Sequence, residues 1–399
     1  MKYVVVLTDG AADYPIKALG DKTPYEVAST PYLDEFARKG QLYLVKTVPD
    51  DLKPGSDVAN LSVLGYNPHS CYTGRSPLEA ASVGVALTDD DMCFRANLVT
   101  LSPEEPYEEK TMVDYSSGEI TSEEAKELIT ALDKSLSTDK ISFFPGVSYR
   151  HIMRWRTDET SFNLTPPHDI SDKVITEYLP DNPTILKIMK KSNEILINHP
   201  VNLKRIKEGK NPATSLWIWG EGKKPDLPKF KDLYGVSGSV ISAVDLVKGI
   251  AKLAGLNSID VEGATGTVHT NYKGKADAAI NALYNSDFVY IHLEGPDECG
   301  HQGDLPGKIS AIEQIDAKII APIKKALEDS GYDYKFMVMP DHPTPISIKT
   351  HARDKVPCVI YDSRKCIESK AESFSEEQAE KYGNEFIEGY KIMEEFLGN

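Results

Sequence analysis

The stretch Tyr334-Lys335-Phe336-Met337-Val338-Met339-Pro340-Asp341-His342, continuing to His351, decides how this chain is read. Phe336 to Met339 is a short apolar run of the kind that forms a buried strand. Pro340 stops it, and Asp341 and His342 follow at once. In open α/β sheets chemistry gathers beyond the carboxyl ends of the strands, so two potential metal ligands at a strand exit are well placed. His351 comes just before a second apolar run, Val356 to Tyr361.

Working outward, two other runs end in the same way. Tyr3 to Leu7 reads as a buried strand followed by Thr8-Asp9-Gly10, where Asp9 is either a turn residue or a ligand. Asp287 to Leu293 reads as a strand followed by Glu294-Gly295-Pro296-Asp297-Glu298-Cys299-Gly300-His301. Asp297 and His301 are one helical turn apart and can aim at one ion. A fourth element is a helix start. Lys53-Pro54-Gly55-Ser56-Asp57 reads as a glycine turn opening a short helix that stops at Gly65. Ser56 falls at or next to the N-cap, where a serine usually just caps the helix but can also offer a hydroxyl in a position that favours negative charge, and the context decides.

The chain has 399 residues, enough for two or three domains, and its formal charge of −16 argues against nucleic acid or an anionic membrane as partner. It also means that an anionic substrate needs a local basic pocket. No apolar run approaches the ~20 residues of a membrane span, and the opening run is too short for a signal-peptide core, so cytoplasm is the expectation. Five cysteines without a Cys-x-x-Cys pair point away from a disulfide framework.

Residues 81–232 lack Asp-His strand exits, mix strands, helices and acidic loops, and read as an inserted domain of α+β type; residues 1–80 with 233–399 read as one discontinuous α/β domain that carries the strand exits. Within the insert, helices are expected from Thr121 to about Leu136 and from Asn182, the latter interrupted at Pro200. Tyr149 to Arg156 alternates as a strand, with Arg150 on one face and His151 on the other, and a hairpin turning at Thr157-Asp158-Glu159-Thr160 would bring His168 and Asp169 beside Arg150. Such a group suits bidentate capture of carboxylate or phosphate. Cys71-Tyr72-Thr73-Gly74-Arg75 is similar to the Cys-x-Pro-x-Arg signature of sulfatases, but Thr73 stands at the proline position and Ser56 already fills the nucleophile slot. Further on, a helix is expected from Ser237 to Ala254, another from Lys308 to Leu327 and an acidic one from about Glu376 to Phe396.

Asp9, Ser56, Asp297, His301, Asp341, His342 and His351 are too many ligands for one ion and natural for two. Two divalent ions balance three carboxylates and a serine alkoxide. A metal-bound serine at a helix start is a usable nucleophile near neutral pH, which suits phosphoryl transfer. In their order these motifs resemble the alkaline phosphatase superfamily. Pro54 to Ser62, Tyr149-Arg150-His151, Gly238 to Gly255 and the chain length are similar to its archaeal-type cofactor-independent phosphoglycerate mutases.

That resemblance implies an alkaline-phosphatase-like three-layer domain with a mainly parallel sheet and a smaller inserted domain. It implies one ion on Asp297, His301 and His351, and a second on Asp9, Ser56, Asp341 and His342. Manganese is the first expectation, with zinc, cobalt or magnesium as alternatives, and no 2,3-bisphosphoglycerate. It further implies interconversion of 3- and 2-phosphoglycerate in glycolysis and gluconeogenesis through a phosphoserine on Ser56. Arg150, His151, His168 and Asp169 would hold glycerate or shuttle protons. The competing expectation is another phosphotransferase or phosphatase on the same core, phosphopentomutase-like or homoserine-phosphorylating.

Overall fold

The apolar runs at Tyr3, Phe288 and Phe336 are buried and lie side by side in the computed structural model, which describes residues 1–365 and 367–398. The chain divides into two units, Met1–Tyr72 with Asp226–Asn399, and Thr73–Pro225. The sequence expectation put the junctions near residues 80 and 232. In chain order, β1 (Lys2–Thr8) and β2 (Gln41–Val45) belong to the first unit. The second unit holds β3 (Asp91–Leu101), β4 (Met112–Asp114), β5 (Ile141–Phe144), β6 (Arg150–Arg156) and β7 (Ser215–Lys223). The first unit resumes with β8 (Gly238–Ile241), β9 (Asn257–Ile259), β10 (Phe288–Leu293), β11 (Tyr334–Met339), β12 (Val356–Asp362) and β13 (Asn384–Phe386).

The sheet of the first unit has the order β13-β2-β12-β11-β1-β10-β8-β9. The run β9-β8-β10-β1-β11 is parallel throughout, β12 is antiparallel to both of its neighbours, and β13 lies parallel to β2. Thr8 pairs with Leu293 and Leu7 with Met339, so β1, β10 and β11 end at one level and deliver their next residues to one edge. Successive side chains of a strand point to opposite faces. Val4 and Val6 pack with Phe36, Ile312 and Ile320, while the Tyr3 ring meets Phe396 edge-on at 5.6 Å. Helices therefore cover both faces, and the unit has the α/β layering expected of a mainly parallel sheet.

Three helices expected from the sequence take other forms. Ser237 to Ala254 splits into β8 and a helix, Asp245–Leu253. Val240 and Ile241 are buried beside β10 and β9, and a short run buried on both faces cannot be told from helix by periodicity. Lys308 to Leu327 is two helices, Leu305–Ile315 and Ala321–Asp329, joined by a π-turn at Asp316–Ile320. That turn lets the Asp316 carboxylate accept the backbone N–H of Leu33, 2.8 Å away, at the start of the helix Pro31–Lys39. The stretch from Glu376 forms a helix to Tyr382, then β13, and a last helix at Ile392–Leu397. Pairing with the edge of β2 overrides the helical pattern: Lys46 N–H donates to Phe386 O at 2.9 Å.

In the second unit β3 is central, with β6 and β7 antiparallel on either side, β5 beyond β6, and β4 against the end of β3. One face packs Phe94, Ala96, Leu98, Met153 and Trp155 against helices Ser122–Leu136 and Pro183–Leu196. On the other, Cys93 and Ile152 meet Ala80 of helix Ser76–Ser82. The expected hairpin after Arg156 does not form. No strand follows before Pro167, and β6 takes β3 and β5 as partners instead. The intervening chain is anchored through side chains, with Phe162 edge-on to Phe94 and Thr165 O accepting from Trp217 Nε1. Cys71, Cys93, Cys299 and Cys358 are buried free thiols, and among the described residues no helix is long and apolar enough to cross a membrane.

Candidate metal centre

Three strand exits and one helix start meet at the edge of the first unit's sheet. Asp9 leaves β1 and is followed by Gly10 at φ +64°; a Cβ there would lie 2.6 Å from Asp297 Cα, so glycine lets the helix Gly295–Gln302 close in. Asp9 Oδ2 is 2.8 Å from His292 Nε2, and Oδ1 is 3.6 Å from His342 Nε2 with no hydrogen-bond partner. Burial pushes the Asp9 carboxyl well above the usual carboxylate range, and the nearby Asp341, Asp297 and Glu294 add to it.

Asp341 is fixed on every side. Its Oδ1 accepts from Gly10 N at 3.1 Å and His342 N at 2.9 Å, and its Oδ2 accepts from Asn60 Nδ2 at 2.9 Å. Asn60 also donates to Ser56 O at 2.8 Å and accepts from the Tyr290 hydroxyl at 2.7 Å. Ser56 is the first residue of helix Ser56–Val63, with Gly55 as N-cap, and its Oγ lies 3.1 Å from His342 Nε2.

The other group gathers on Asp297 and His301, one turn apart on helix Gly295–Gln302. Asp297 Oδ2 is 3.3 Å from His301 Nε2, and Oδ1 is 3.5 Å from His351 Nε2. The two Nε2 atoms are 3.0 Å apart, and His301 Nδ1 is 3.1 Å from Lys349 O. Burial alone would raise the Asp297 carboxyl, yet the two histidines hold it well below its ordinary value. The same contact raises His301 to about 9.

Two sets of ligand atoms each lie within 4.8 Å of one another, Asp297 with His301 and His351, and Asp9 with Asp297 and His342. Asp297 thus belongs to both. Ser56 and Asp341 reach the second set through His342, whose Nε2 is also 3.4 Å from Asp341 Oδ2. The donor set suits divalent ions: carboxylates and imidazoles converge, and Asp9 keeps a buried, unpartnered oxygen.

The inserted unit carries a group of its own. Arg150 shares the sheet face of Ile152 and Arg95, under helix Ser76–Ser82. Glu79 of that helix accepts from Arg75 Nε at 2.9 Å and forms an ion pair with Arg95, whose Nε lies 2.9 Å away, and Arg150 also acts on its carboxyl. Burial would raise Glu79, but these three guanidinium groups hold it below the usual range. Arg95 stacks over Trp219, His168 packs edge-on to the same indole at 5.4 Å, and Tyr115 joins His168 to Tyr149 and Arg150. Asp169 lies beside His168, 3.5 Å from its Nε2. His151 departs from this group. It points to the opposite face of β6, its Nδ1 accepts from Gly146 N at 3.0 Å, and burial pushes it down to about 3.

Sequence reasoning passed over Asn60, Tyr290, His292, Thr344 and Arg95. Asn60 and Thr344 stand inside the quoted motifs, one turn after Ser56 and three residues after Asp341. Their signal was a short polar side chain in an otherwise apolar neighbourhood.

The sequence profile of the family described as 2,3-bisphosphoglycerate-independent phosphoglycerate mutase matches residues 37–202. A protein of that name from Methanosarcina barkeri is 51% identical over 96% of this chain and 95% of its own length. The chain belongs to this family. A Geobacter sulfurreducens protein described as a probable member is 47% identical over the full length of both. Among solved structures, a Pyrococcus horikoshii protein matches at TM-score 0.81 and 30% identity, covering 99% of this chain and 96% of its own. The cofactor-independent phosphoglycerate mutase of Thermoplasma acidophilum shares the fold at TM-score 0.67 and 24% identity, covering 100% of this chain and 99% of its own.

Proposed function

We propose that the chain carries out its family's reaction through a phosphoserine formed on Ser56 beside two divalent ions. It is an enzyme of that family, an isomerase interconverting 3-phosphoglycerate and 2-phosphoglycerate. The observation that carries the mechanism is Ser56 Oγ at 3.1 Å from His342 Nε2, on the first residue of a helix. Backbone N–H groups there have no intrahelical partner and favour an anion.

Asp297, His301 and His351 would hold one ion. Asp9 and His342, with Ser56 and Asp341, would hold the other, with Asp297 within reach of both. Manganese is the first choice, and zinc, cobalt or magnesium suit the same nitrogen and oxygen donors. Bound there, the ions lower the pKa of the Ser56 hydroxyl and stabilise charge on the transferring phosphoryl group.

The chain's own residues do the rest. Asn60 fixes the start of the Ser56 helix relative to Asp341. Ser56 Oγ takes the phosphoryl group from the 3-position and returns it to the 2-hydroxyl, so no 2,3-bisphosphoglycerate is required. Arg75, Arg95 and Arg150 hold an anionic group of the substrate by forked hydrogen bonds, with His168 and Asp169 beside them. The glycerate has to be retained and water kept out, which we assign to the inserted unit acting as a lid. A glycolytic step on a small phosphorylated acid suits the cytoplasm.

The test is a coupled assay on 3-phosphoglycerate with Mn2+ and no added bisphosphoglycerate. Wild type should form 2-phosphoglycerate, and Ser56→Ala should keep Mn2+ binding while losing at least about 10³-fold in turnover. Free phosphate as the only product, or an unimpaired Ser56→Ala, would refute the mechanism.

A further inference from the structure

Thr344 is fully buried at the point where the two ligand sets meet. Its backbone N–H lies 3.3 Å from both Gly10 O and Ala12 O, and its carbonyl accepts from the buried Lys308 Nζ at 2.9 Å. Lys308 also reaches Asp13 at 2.7 Å, tying the loop after β1 to the loop after β11. Gly300 completes the seat, since a Cβ there would lie 2.7 Å from Thr344 Cγ2. Thr344 is therefore held by three other segments, the loop after β1 and the helices that carry Lys308 and Gly300, and its hydroxyl is placed with it.

Its two contacts determine where its one proton goes. Thr344 Oγ1 makes a short hydrogen bond to Asp297 Oδ1 and lies 3.3 Å from His342 Nδ1. As a metal ligand Asp297 is ionised and can only accept, so the hydroxyl donates to it. With its single proton committed, the oxygen can only accept from His342, and Nδ1 must carry the hydrogen. That leaves a lone pair on Nε2, the atom 3.1 Å from Ser56 Oγ and 3.6 Å from Asp9 Oδ1.

We propose that Thr344 is a positioning residue that sets the tautomer of His342, through one hydroxyl shared with Asp297, so that Nε2 is open to an ion and to the nucleophile. One side chain thereby couples the ligands of both ions. The inference rests on His342 and Asp297 being ligands, as given under the proposed function.

The experiment uses the full-length chain, stripped and reloaded with Mn2+, with bound ion counted by electron paramagnetic resonance. Thr344→Val removes the hydroxyl at nearly constant shape, and Thr344→Ser restores it. The valine variant should bind at least one ion ten- to a hundredfold more weakly, the usual effect of losing an outer hydrogen bond to a ligand. Its kcat should fall while KM holds, and serine should recover most of both. Imidazole ¹⁵N spectra of the wild-type protein loaded with Zn2+ should show His342 protonated at Nδ1. An Nε2–H tautomer overturns the inference whether or not the valine variant folds, as does a valine variant with wild-type affinity for both ions. His342→Ala separates the two levels. If it keeps both ions at full affinity, the ligand assignment fails and takes the inference with it. If it loses one while Thr344→Val loses none, the inference alone fails.

Discussion

Replacing Asn60 with alanine should damage both the stability of the first unit and the rate, by amounts that follow from three hydrogen bonds. The side chain is buried, donates to Asp341 Oδ2 and Ser56 O, and accepts from the buried Tyr290 hydroxyl. Alanine leaves that hydroxyl and one carboxylate oxygen without partners. At about 1–3 kcal/mol for each orphaned buried group, the expected loss is roughly 3–5 kcal/mol. Tyr290→Phe alone orphans only the amide oxygen and should cost about 1–2 kcal/mol. In the double variant neither the hydroxyl nor the amide oxygen is left to orphan, so the two changes should fall short of additivity by about 2–4 kcal/mol. The assay is urea unfolding of the four proteins of this cycle, stripped of metal and followed by far-ultraviolet circular dichroism, alongside initial rates with Mn2+. Rates of the Asn60→Ala protein should drop at least tenfold, because the nucleophile's helix and Asp341 lose their shared tether. Additivity within about 0.3 kcal/mol, or an unchanged rate, would show that this network does not position Ser56.

His351→Ala should weaken one of two Mn2+ ions and spare the other, as read by metal titration; equal weakening of both, or of neither, contradicts the assigned set. Arg150→Ala should raise KM by about tenfold or more with a smaller change in kcat, since a forked contact to a substrate anion is worth about 1.5–3 kcal/mol. Unchanged KM for 3-phosphoglycerate would remove Arg150 from substrate binding. Burial raises the Glu376 carboxyl to about 7, while it accepts from Asp13 N at 3.1 Å and from the Thr23 hydroxyl at 2.6 Å. Its folded pKa is above the unfolded one, so its contribution is complete below the unfolded value near 4.5 and disappears as pH rises through 7. Glu376→Gln should therefore gain about 1–2 kcal/mol on wild type between pH 5 and pH 8, allowing for its partial exposure; parallel stability curves would contradict this.

The metal-ligand candidates were legible because each rests on two coincident signals, an apolar run and a ligating residue type directly after it. Asp9, Asp297 and Asp341 can be aligned from their places after apolar runs alone, because parallel strands in register end together. Elements whose identity depends on a distant partner were not legible. β8 and β13 exist because β10 and β2 offer ladders to them, and nothing within Ser237–Ala254 or Glu376–Phe396 says so. The hairpin after Arg156 failed for the same reason, because β3, some sixty residues earlier, competes better for β6. Asn60 and Thr344 look like ordinary helix and loop residues in the sequence. Their importance comes from buried groups contributed by other segments, and only packing reveals those. Arg95 was hidden inside an apolar strand, and His151 joined Arg150 only through the family resemblance, although the alternation of the strand already turns the two apart.

The interruption of the first unit by residues 73–225 has a consequence for biosynthesis. Asp9 and Ser56 leave the ribosome long before His301, His342 and His351 have been translated. A nascent chain therefore carries an incomplete cradle for most of its synthesis and has to wait for its far end to close β1 between β10 and β11. Cation capture then becomes a late checkpoint, passed only by chains translated beyond His351, and truncated products should emerge metal-poor and open to proteolysis.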